Sequence, residues 1–524
     1  MKVLLIYPPL TLHELDVSPP TKSALIGLGY VAAALKNEGY TVKIIDCLIS
    51  SFSKQPIDVN FVRYGMIDSE IYKAIASFAP DVVGVSCMFT PYFKDAHNIA
   101  KIVKEHNKNT LVVFGGAHAS TFTDKVMADS NVDVVVVGEG EVTIREVLKR
   151  YKEKRYFEGV KGIVHRVNGI IKKETSQEPI QNLDEISFPA WDLLERDMEV
   201  VRQEQIKNKF LMRKPVGAIL TSRGCPKECY FCSVKLMWGR KWRMRSARNV
   251  VDEIEFLKKK YGYREFHFVD DNSSVSKARM HEICDELLKR KLNVKVATPT
   301  GIAIETLDKE ILSKMKKAGF YRLCFGIESG SPDSQKIIKK RVDLDRAKKV
   351  IAQANALGFW TAATFIVGFP HDTKKEIEAT IAFIKTANLD FIICYLLVPQ
   401  IGTEVYNILK QQGLIDLDKY VDVYSADWHK ISLMYNHGFK TLAFSNEDLQ
   451  NMLSQIYKAY LFYKIFSLRT YINLLRKIKS FEDFVYMAKL LSLPAKMVTK
   501  MVFGDKLSNT TMQGRVKKLK SIDT

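Results

Sequence analysis

Two successive runs of alternating strand and helix patterns set the outer limit on how this chain can fold. Over residues 1–150, short and almost unbroken apolar runs alternate with helical periodicity. Strands are predicted at 3–7, 41–46, 82–87, 111–115 and 132–137, with helices between them, for example over 25–37 and 94–105. Strands that are apolar on both faces and separated by helices belong in a parallel sheet covered on both sides. The segment is therefore read as a doubly wound α/β domain of Rossmann-like type. From about residue 215 the alternation restarts, with strands predicted at 217–221, 265–269, 294–297, 321–327, 361–367 and 391–398 and amphipathic helices such as 249–260 and 346–357. Six βα units in series suit a partial TIM-type (β/α)6 barrel, whose chemistry sits at the carboxyl ends of the strands. Beyond about 410 the strand pattern stops and a helical pattern follows.

The expected organisation is a first domain over 1–150, a linker with a short hairpin over 151–210, a barrel over 211–410 and a mainly helical region over 411–524. A chain of 524 residues is too long for a single ordinary core. Its net charge of +20 attracts anions: nucleic acid, phosphorylated substrates or an acidic membrane surface. The opening MKVLLIYPP reads as a first strand rather than a signal peptide, and no apolar run is long enough to span a bilayer. The protein is therefore expected in the cytoplasm or peripheral to the inner face of the membrane, where thiols stay reduced.

In that setting, clustered cysteines point to metal or catalysis. Of eight Cys, Cys47, Cys87, Cys284, Cys324 and Cys394 are scattered through apolar stretches and read as core thiols. The other three lie together in Arg223-Gly224-Cys225-Pro226-Lys227-Glu228-Cys229-Tyr230-Phe231-Cys232. Three thiolates spaced C-x3-C-x2-C can take three irons of a cubane and leave the fourth iron open. Structural zinc wants four ligands, and no fourth Cys or His is near in sequence.

The predicted strand ends of the first domain carry Pro8-Pro9, the stretch from Ser86 to Thr90, Gly115-Gly116-Ala117-His118 and Gly138-Glu139-Gly140-Glu141. They are either tight strand-to-helix turns or one edge built for close approach of a ligand. A flavin or dinucleotide would want G-x-G-x-x-G after the first strand, which is absent.

The Cys225–Cys232 spacing, with the aromatic Phe231 before the last Cys and a βα barrel around it, resembles the radical S-adenosylmethionine (SAM) superfamily. The first domain resembles the cobalamin-binding domain that precedes one subgroup of it, in Tyr7-Pro8-Pro9, Gly115-Gly116-Ala117-His118 and Gly138-Glu139-Gly140-Glu141. Together the two resemblances cover roughly residues 1–410. They imply a [4Fe–4S] cluster on Cys225, Cys229 and Cys232. The reduced cluster would pass one electron to SAM at the open iron, and the resulting 5′-deoxyadenosyl radical would abstract hydrogen from an unactivated carbon. Asp270 and Asp271 look like receivers of the SAM amino group, although the family's usual Gly-Gly-Glu is replaced, and they can equally cap the next helix. Glu328, followed by Ser329, looks like the residue that bonds the SAM ribose, and Gly368 lies in a segment resembling the one near the adenine. Cobalamin would lie against Pro8, Ser86, Gly115, Gly116, His118, Gly138, Glu139 and Gly140. The first domain carries no D-x-H-x-x-G, the signature of a His ligand to cobalt, so His118 can touch the corrin or its tail, or cap a helix.

The activity implied is cobalamin-dependent methylation of an unactivated carbon. Relatives of the subgroup also cyclise, oxidise or join carbons without methyl transfer, and a cobalamin-dependent sensor would share only the first domain. The partners implied are a one-electron reductant of flavodoxin or ferredoxin type and a small-molecule substrate. Aromatic and basic residues mixed over 457–479 suggest a lipid or isoprenoid taken from a membrane surface, or else a helical cap on the barrel with a wet basic face. No recognisable RNA-binding module supports nucleic acid as partner.

Overall fold

The computed structural model describes residues 1–13, 25–51, 53–58, 61–154, 156–194, 201, 210–422, 424–425, 431 and 438–490. The C-terminal lysines Lys517, Lys518 and Lys520 and part of the expected 151–210 linker lie outside the described residues. The chain packs as two compact units, the first formed by residues 1–203, 221–249 and 398–437, the second by 204–220, 250–397 and 438–524. Among the described residues no helix is long and apolar enough to cross a membrane.

Ten strands open the chain: β1 (Lys2–Tyr7), β2 (Leu10–His13), β3 (Thr41–Asp46), β4 (Lys54–Asp58), β5 (Phe61–Tyr64), β6 (Val82–Ser86), β7 (Leu111–Gly115), β8 (Val134–Val136), β9 (Ile163–Val167) and β10 (Ile170–Lys173). Seven of them make one sheet in the order β10-β9-β8-β7-β6-β1-β3. The five strands from β8 to β3 pair in parallel, as the predicted alternation requires. Leu4, Ile6, Val83, Val85, Val112 and Phe114 fill the core against helices such as Phe93–His106. Two features depart from the sequence reading. The hairpin expected inside a linker is β9–β10, and it extends the first sheet because β9 pairs antiparallel with β8, burying Ile163, Val164 and His165. A separate three-stranded sheet, β2-β5-β4, carries no signal in the alternation.

Strand β11 (Val216–Ile219) opens the second unit. The short pair β12 (Ser222–Arg223) and β13 (Arg243–Met244) belongs to the first unit. β14 (Glu265–Phe268), β15 (Lys295–Ile302), β16 (Phe320–Glu328), β17 (Trp360–Val367) and β18 (Phe391–Leu396) complete a six-stranded sheet in sequential order. Every neighbouring pair in it is parallel. This is the partial barrel that the pattern calls for. Helices Asn446–Phe466 and Leu468–Lys477 follow it. The first starts at Ser445 with a capping box, in which Ser445 and Asp448 satisfy each other's backbone N–H groups. Tyr486 packs between Tyr321 and Trp360 with ring centroids at 5.7 and 5.3 Å, closing the end of the barrel sheet. The five scattered cysteines are all buried.

Candidate active site

The cysteine loop hangs between β12 and β13, which pair antiparallel through Ser222↔Met244 and Arg223↔Arg243. Gly224 opens it at φ +84°, and a Cβ there would lie 2.6 Å from the Lys241 carbonyl oxygen. Only glycine fits that approach. The Cys232 N–H donates to the Cys229 carbonyl at 3.1 Å, turning the chain so that the last two thiols share one bend. Cys229 is buried, whereas Cys225 and Cys232 are partly open to solvent. Tyr230 is buried and its carbonyl accepts from Val405 N–H at 3.2 Å, which fixes the middle of the loop. Phe231 stands edge-on to Tyr230, with centroids 6.3 Å apart.

In the same unit, the carboxyl edge of the first sheet opens onto a cavity of about 230 Å³. Met88, Phe89, Thr90 and His118 line it from the sheet side, and Leu236 and Met237, just past the cysteine loop, from the other. Met88 and Phe89 are 41% and 54% exposed, an apolar shelf at the end of β6. His118 is buried, stacked on Phe93 at 5.3 Å, and its Nδ1 lies 3.2 Å from Thr90 Oγ1. Burial, with a smaller contribution from His97, pushes its imidazole down to about 3, so the ring is neutral at working pH. Pro8 and Ser86 line a smaller hollow beside the shelf. Gly116, at φ +108°, brings the chain against the Cys87 carbonyl, which accepts the His118 and Ala119 N–H groups at 3.1 and 3.3 Å. Gly115 meets nothing within 4 Å of where a Cβ would stand. Gly138 takes φ +78° and donates its N–H to Ser120 Oγ at 3.0 Å, and Gly140 begins helix Gly140–Lys152.

Glu139, expected from the sequence to lie against the cofactor, has its carboxylate in an ion-pair cluster. Its carboxylate accepts from Arg223 Nη1 at 3.0 Å, from Arg243 Nη1 at 2.8 and 2.9 Å, and from Ile180 N–H at 2.6 Å. Arg223 also donates to Glu141 at 2.5 Å and lies between the rings of Tyr30 and Trp238, 5.4 and 5.1 Å from their centroids. All four charged side chains are at least nine-tenths buried. Burial alone would lower the Arg223 pKa; Glu141 and Glu139 more than reverse this, and the net direction is upward. The quartet ties the strand that opens the cysteine loop to the end of β8. The sequence shows both partners, Arg223 before Gly224-Cys225 and Glu139 in the Gly-Glu-Gly-Glu run, but nothing in it pairs them.

In the second unit, Glu328 ends β16 at φ +67°, a backbone region that costs a non-glycine residue about 1–3 kcal/mol and that persists where surroundings enforce it. One carboxylate oxygen accepts from Thr364 Oγ1 at 3.2 Å, and the other lies 3.3 Å from Lys340 Nζ. Neither Thr364 nor Lys340 carries a sequence signal. Ser329 is turned into its own loop, its Oγ accepting from Ser331 N–H at 3.2 Å. Asp270 is buried at the end of β14 and Asp271 is exposed; Thr300 Oγ1 donates to the Asp270 carbonyl at 2.9 Å. Gly368, at φ +96°, follows β17 and, with Phe369, donates its N–H to Asp372, both at 3.0 Å.

The radical SAM superfamily model matches residues 219–384 and the B12 binding domain model matches residues 18–148. The chain is 31% identical over 458 residues to an uncharacterized methyltransferase, PH0819, of Pyrococcus horikoshii, covering 87% of this chain and 92% of that one. It is 32% identical over 448 residues to the cytidylyl-2-hydroxyethylphosphonate methyltransferase of Streptomyces wedmorensis, covering 79% and 83%. The chain belongs to the B12-binding radical SAM family. The fold is also that of the cobalamin-dependent SAM radical enzyme OxsB, solved with aqua-cobalamin and SAM bound: TM-score 0.68 over 99% of this chain and 82% of that one, at 16% identity.

The cofactors of this radical SAM enzyme are those of its family: a [4Fe–4S] cluster, SAM and cobalamin. Its residues fit them. Three soft thiolates on one turn suit a cubane. Among the described residues no three His, Cys, Asp or Glu side chains converge as a single metal ion would need. The cubane does not ask for that convergence, since each thiolate takes its own iron. The apolar shelf of Met88 and Phe89 beside a glycine-lined edge suits a broad corrin face. Gly116→Ala tests that edge. A Cβ would stand 2.7 Å from the Cys87 oxygen. A stability loss of about 1–3 kcal/mol in denaturant titration is expected, together with weaker cobalamin retention and an unchanged iron content.

Proposed function

We propose that this enzyme transfers a methyl group to an unactivated carbon of a lipid- or isoprenoid-type substrate. The observation that carries the reading is the joining, inside one compact unit, of the cysteine loop to the glycine-lined sheet edge through Arg223, Arg243, Glu139 and Glu141. Methyl transfer by this chemistry needs both groups held in one fixed frame. Similarity to two methyltransferases over most of the chain supports the same reading. When bound, the cluster supplies the electron that cleaves SAM and the cobalamin supplies the methyl group.

The chain's own residues then have definite tasks. Cys225, Cys229 and Cys232 hold the cluster. Asp270 and Asp271 accept from the SAM amino group, and Glu328, preset by its backbone and by Thr364, accepts from the ribose hydroxyls. Ser329 holds the turn after Glu328, and Gly368 keeps the adenine side free of a side chain. The shelf around Met88, Phe89 and His118 excludes water from the corrin face. A flavodoxin- or ferredoxin-like protein supplies the electron. The lipid-type substrate is supported by the apolar and basic surface of the C-terminal helices.

The test is anaerobic turnover with cobalamin, reductant and SAM carrying a deuterated methyl group. We expect both 5′-deoxyadenosine and S-adenosylhomocysteine, and label on carbon in a substrate drawn from a lipid extract. Deoxyadenosine without S-adenosylhomocysteine would replace methylation by cyclisation or oxidation. Label appearing only in water-soluble acceptors would overturn the substrate class.

A further inference from the structure

Helix Leu468–Lys477 is inverted relative to an ordinary packed helix. Leu468, Tyr471, Ile472 and Leu475 form an i, i+3, i+4, i+7 stripe, the spacing that normally faces a core. Here they are 74%, 49%, 43% and 68% exposed. The residues turned inward are Thr470, Asn473 and Lys477, all buried, with Leu474 half-buried against Trp360 and Tyr486 beside them. The setting is fixed by Lys477. Its ammonium donates to Asp390 at 2.7 Å, to Asn355 Oδ1 at 2.8 Å and to the Phe359 carbonyl. Rolling the apolar stripe inward would pull this buried charge away from its partners.

The outward stripe does not stand alone. Phe462, Ile465 and Phe466 are exposed at the end of the preceding helix. The two helices are joined there by Tyr471 Oη donating to the Ile465 carbonyl at 2.7 Å. That bond sets the exposed apolar end of one helix beside the exposed stripe of the next. The charges that the stretch itself carries have one sign. No acidic residue occurs between Asp448 and Glu482, while Lys458, Arg469, Arg476 and Lys479 are exposed there, on a chain of net charge +20. An apolar face flanked along its own two helices by cations matches a surface that offers hydrocarbon beneath a layer of negative charge.

We propose that the face formed by helix Leu468–Lys477 and the end of helix Asn446–Phe466 docks on an anionic lipid bilayer, lying in its surface plane. The inference deepens the lipid reading of the substrate and rests on it only for its purpose. Binding is measured without SAM, cobalamin or turnover, so a failure here is distinct from a failure of methyl transfer.

The experiment is co-sedimentation of the full-length holoenzyme with vesicles of phosphatidylcholine alone or mixed equally with phosphatidylglycerol, at low and high salt. The variant is Leu468→Gln with Leu475→Gln, two outward positions; unchanged iron content and melting temperature confirm its fold. We expect binding to the mixed vesicles, weak binding to phosphatidylcholine alone, release by salt, and a fall of at least about tenfold in partitioning for the variant. No binding of the wild type to the mixed vesicles would overturn the proposal, as would equal binding of wild type and variant. A wild-type dimer in light scattering that the variant reduces to monomer, without vesicle binding, would assign the face to a second copy of the chain and overturn it as well.

Discussion

Replacing Cys225, Cys229 and Cys232 together by Ala is expected to remove all cluster iron and to cut SAM cleavage by at least about three orders of magnitude, some 4 kcal/mol in barrier terms. The loop offers no other soft ligand, and the remaining five cysteines are buried in the cores of the two units. The fold should survive. The loop is anchored at its ends by β12, β13 and the Arg–Glu quartet, none of which uses a thiol. Iron assay, the charge-transfer absorbance of the cluster and 5′-deoxyadenosine release report the loss, and cobalamin binding serves as the control that should persist. Iron retained in the triple variant would move the cluster to another place in the chain. A single Cys→Ser change, which keeps an oxygen ligand, should leave a labile cluster rather than none.

Glu139→Gln is the second large effect. The carboxylate is buried, receives both arginines and the Ile180 N–H, and is the carboxylate on which Arg243 rests. Removing one partner of a buried ion pair costs about 3–5 kcal/mol, because the remaining charge stays desolvated. The loss should appear in thermal or chemical melting of the first unit. A purely structural role would stop there. A positioning role predicts more: lower iron per chain and an altered reduction potential of the cluster, because Arg223 lies two residues before Cys225 and the quartet around it is left with one uncompensated positive charge, on Arg243. Adding Arg243→Met to Glu139→Gln removes the orphaned cation as well. The double variant should recover stability, with a coupling of about 0.5–3 kcal/mol. Normal iron content and an unshifted potential in Glu139→Gln would reduce the quartet to a packing feature.

Local order was legible in the sequence. A parallel strand buried on both faces is apolar over most of its length, so β1, β6 and β7 announce themselves within windows of five or six residues. The cysteine triad is equally local, because three ligands of one cluster can share one turn. The Ser445–Asp448 cap and the start of its helix needed only four residues to be seen.

What the sequence left undecided depends on groups far apart in the chain. Arg223 meets Glu139 across 84 positions, and no local pattern distinguishes a carboxylate that faces a cofactor from one that neutralises a buried guanidinium. Thr364 supports Glu328 from the neighbouring strand, 36 residues on. The hairpin β9–β10 looks like linker until β8 offers it an edge. The stripe Leu468, Tyr471, Ile472 and Leu475 shows the clearest division between the two levels. The spacing of these four puts them on one side of a helix, but it cannot say which side is inside. That was decided by a single buried ammonium, Lys477, whose partners Asp390 and Asn355 lie on the barrel, and which therefore turns the apolar side toward solvent.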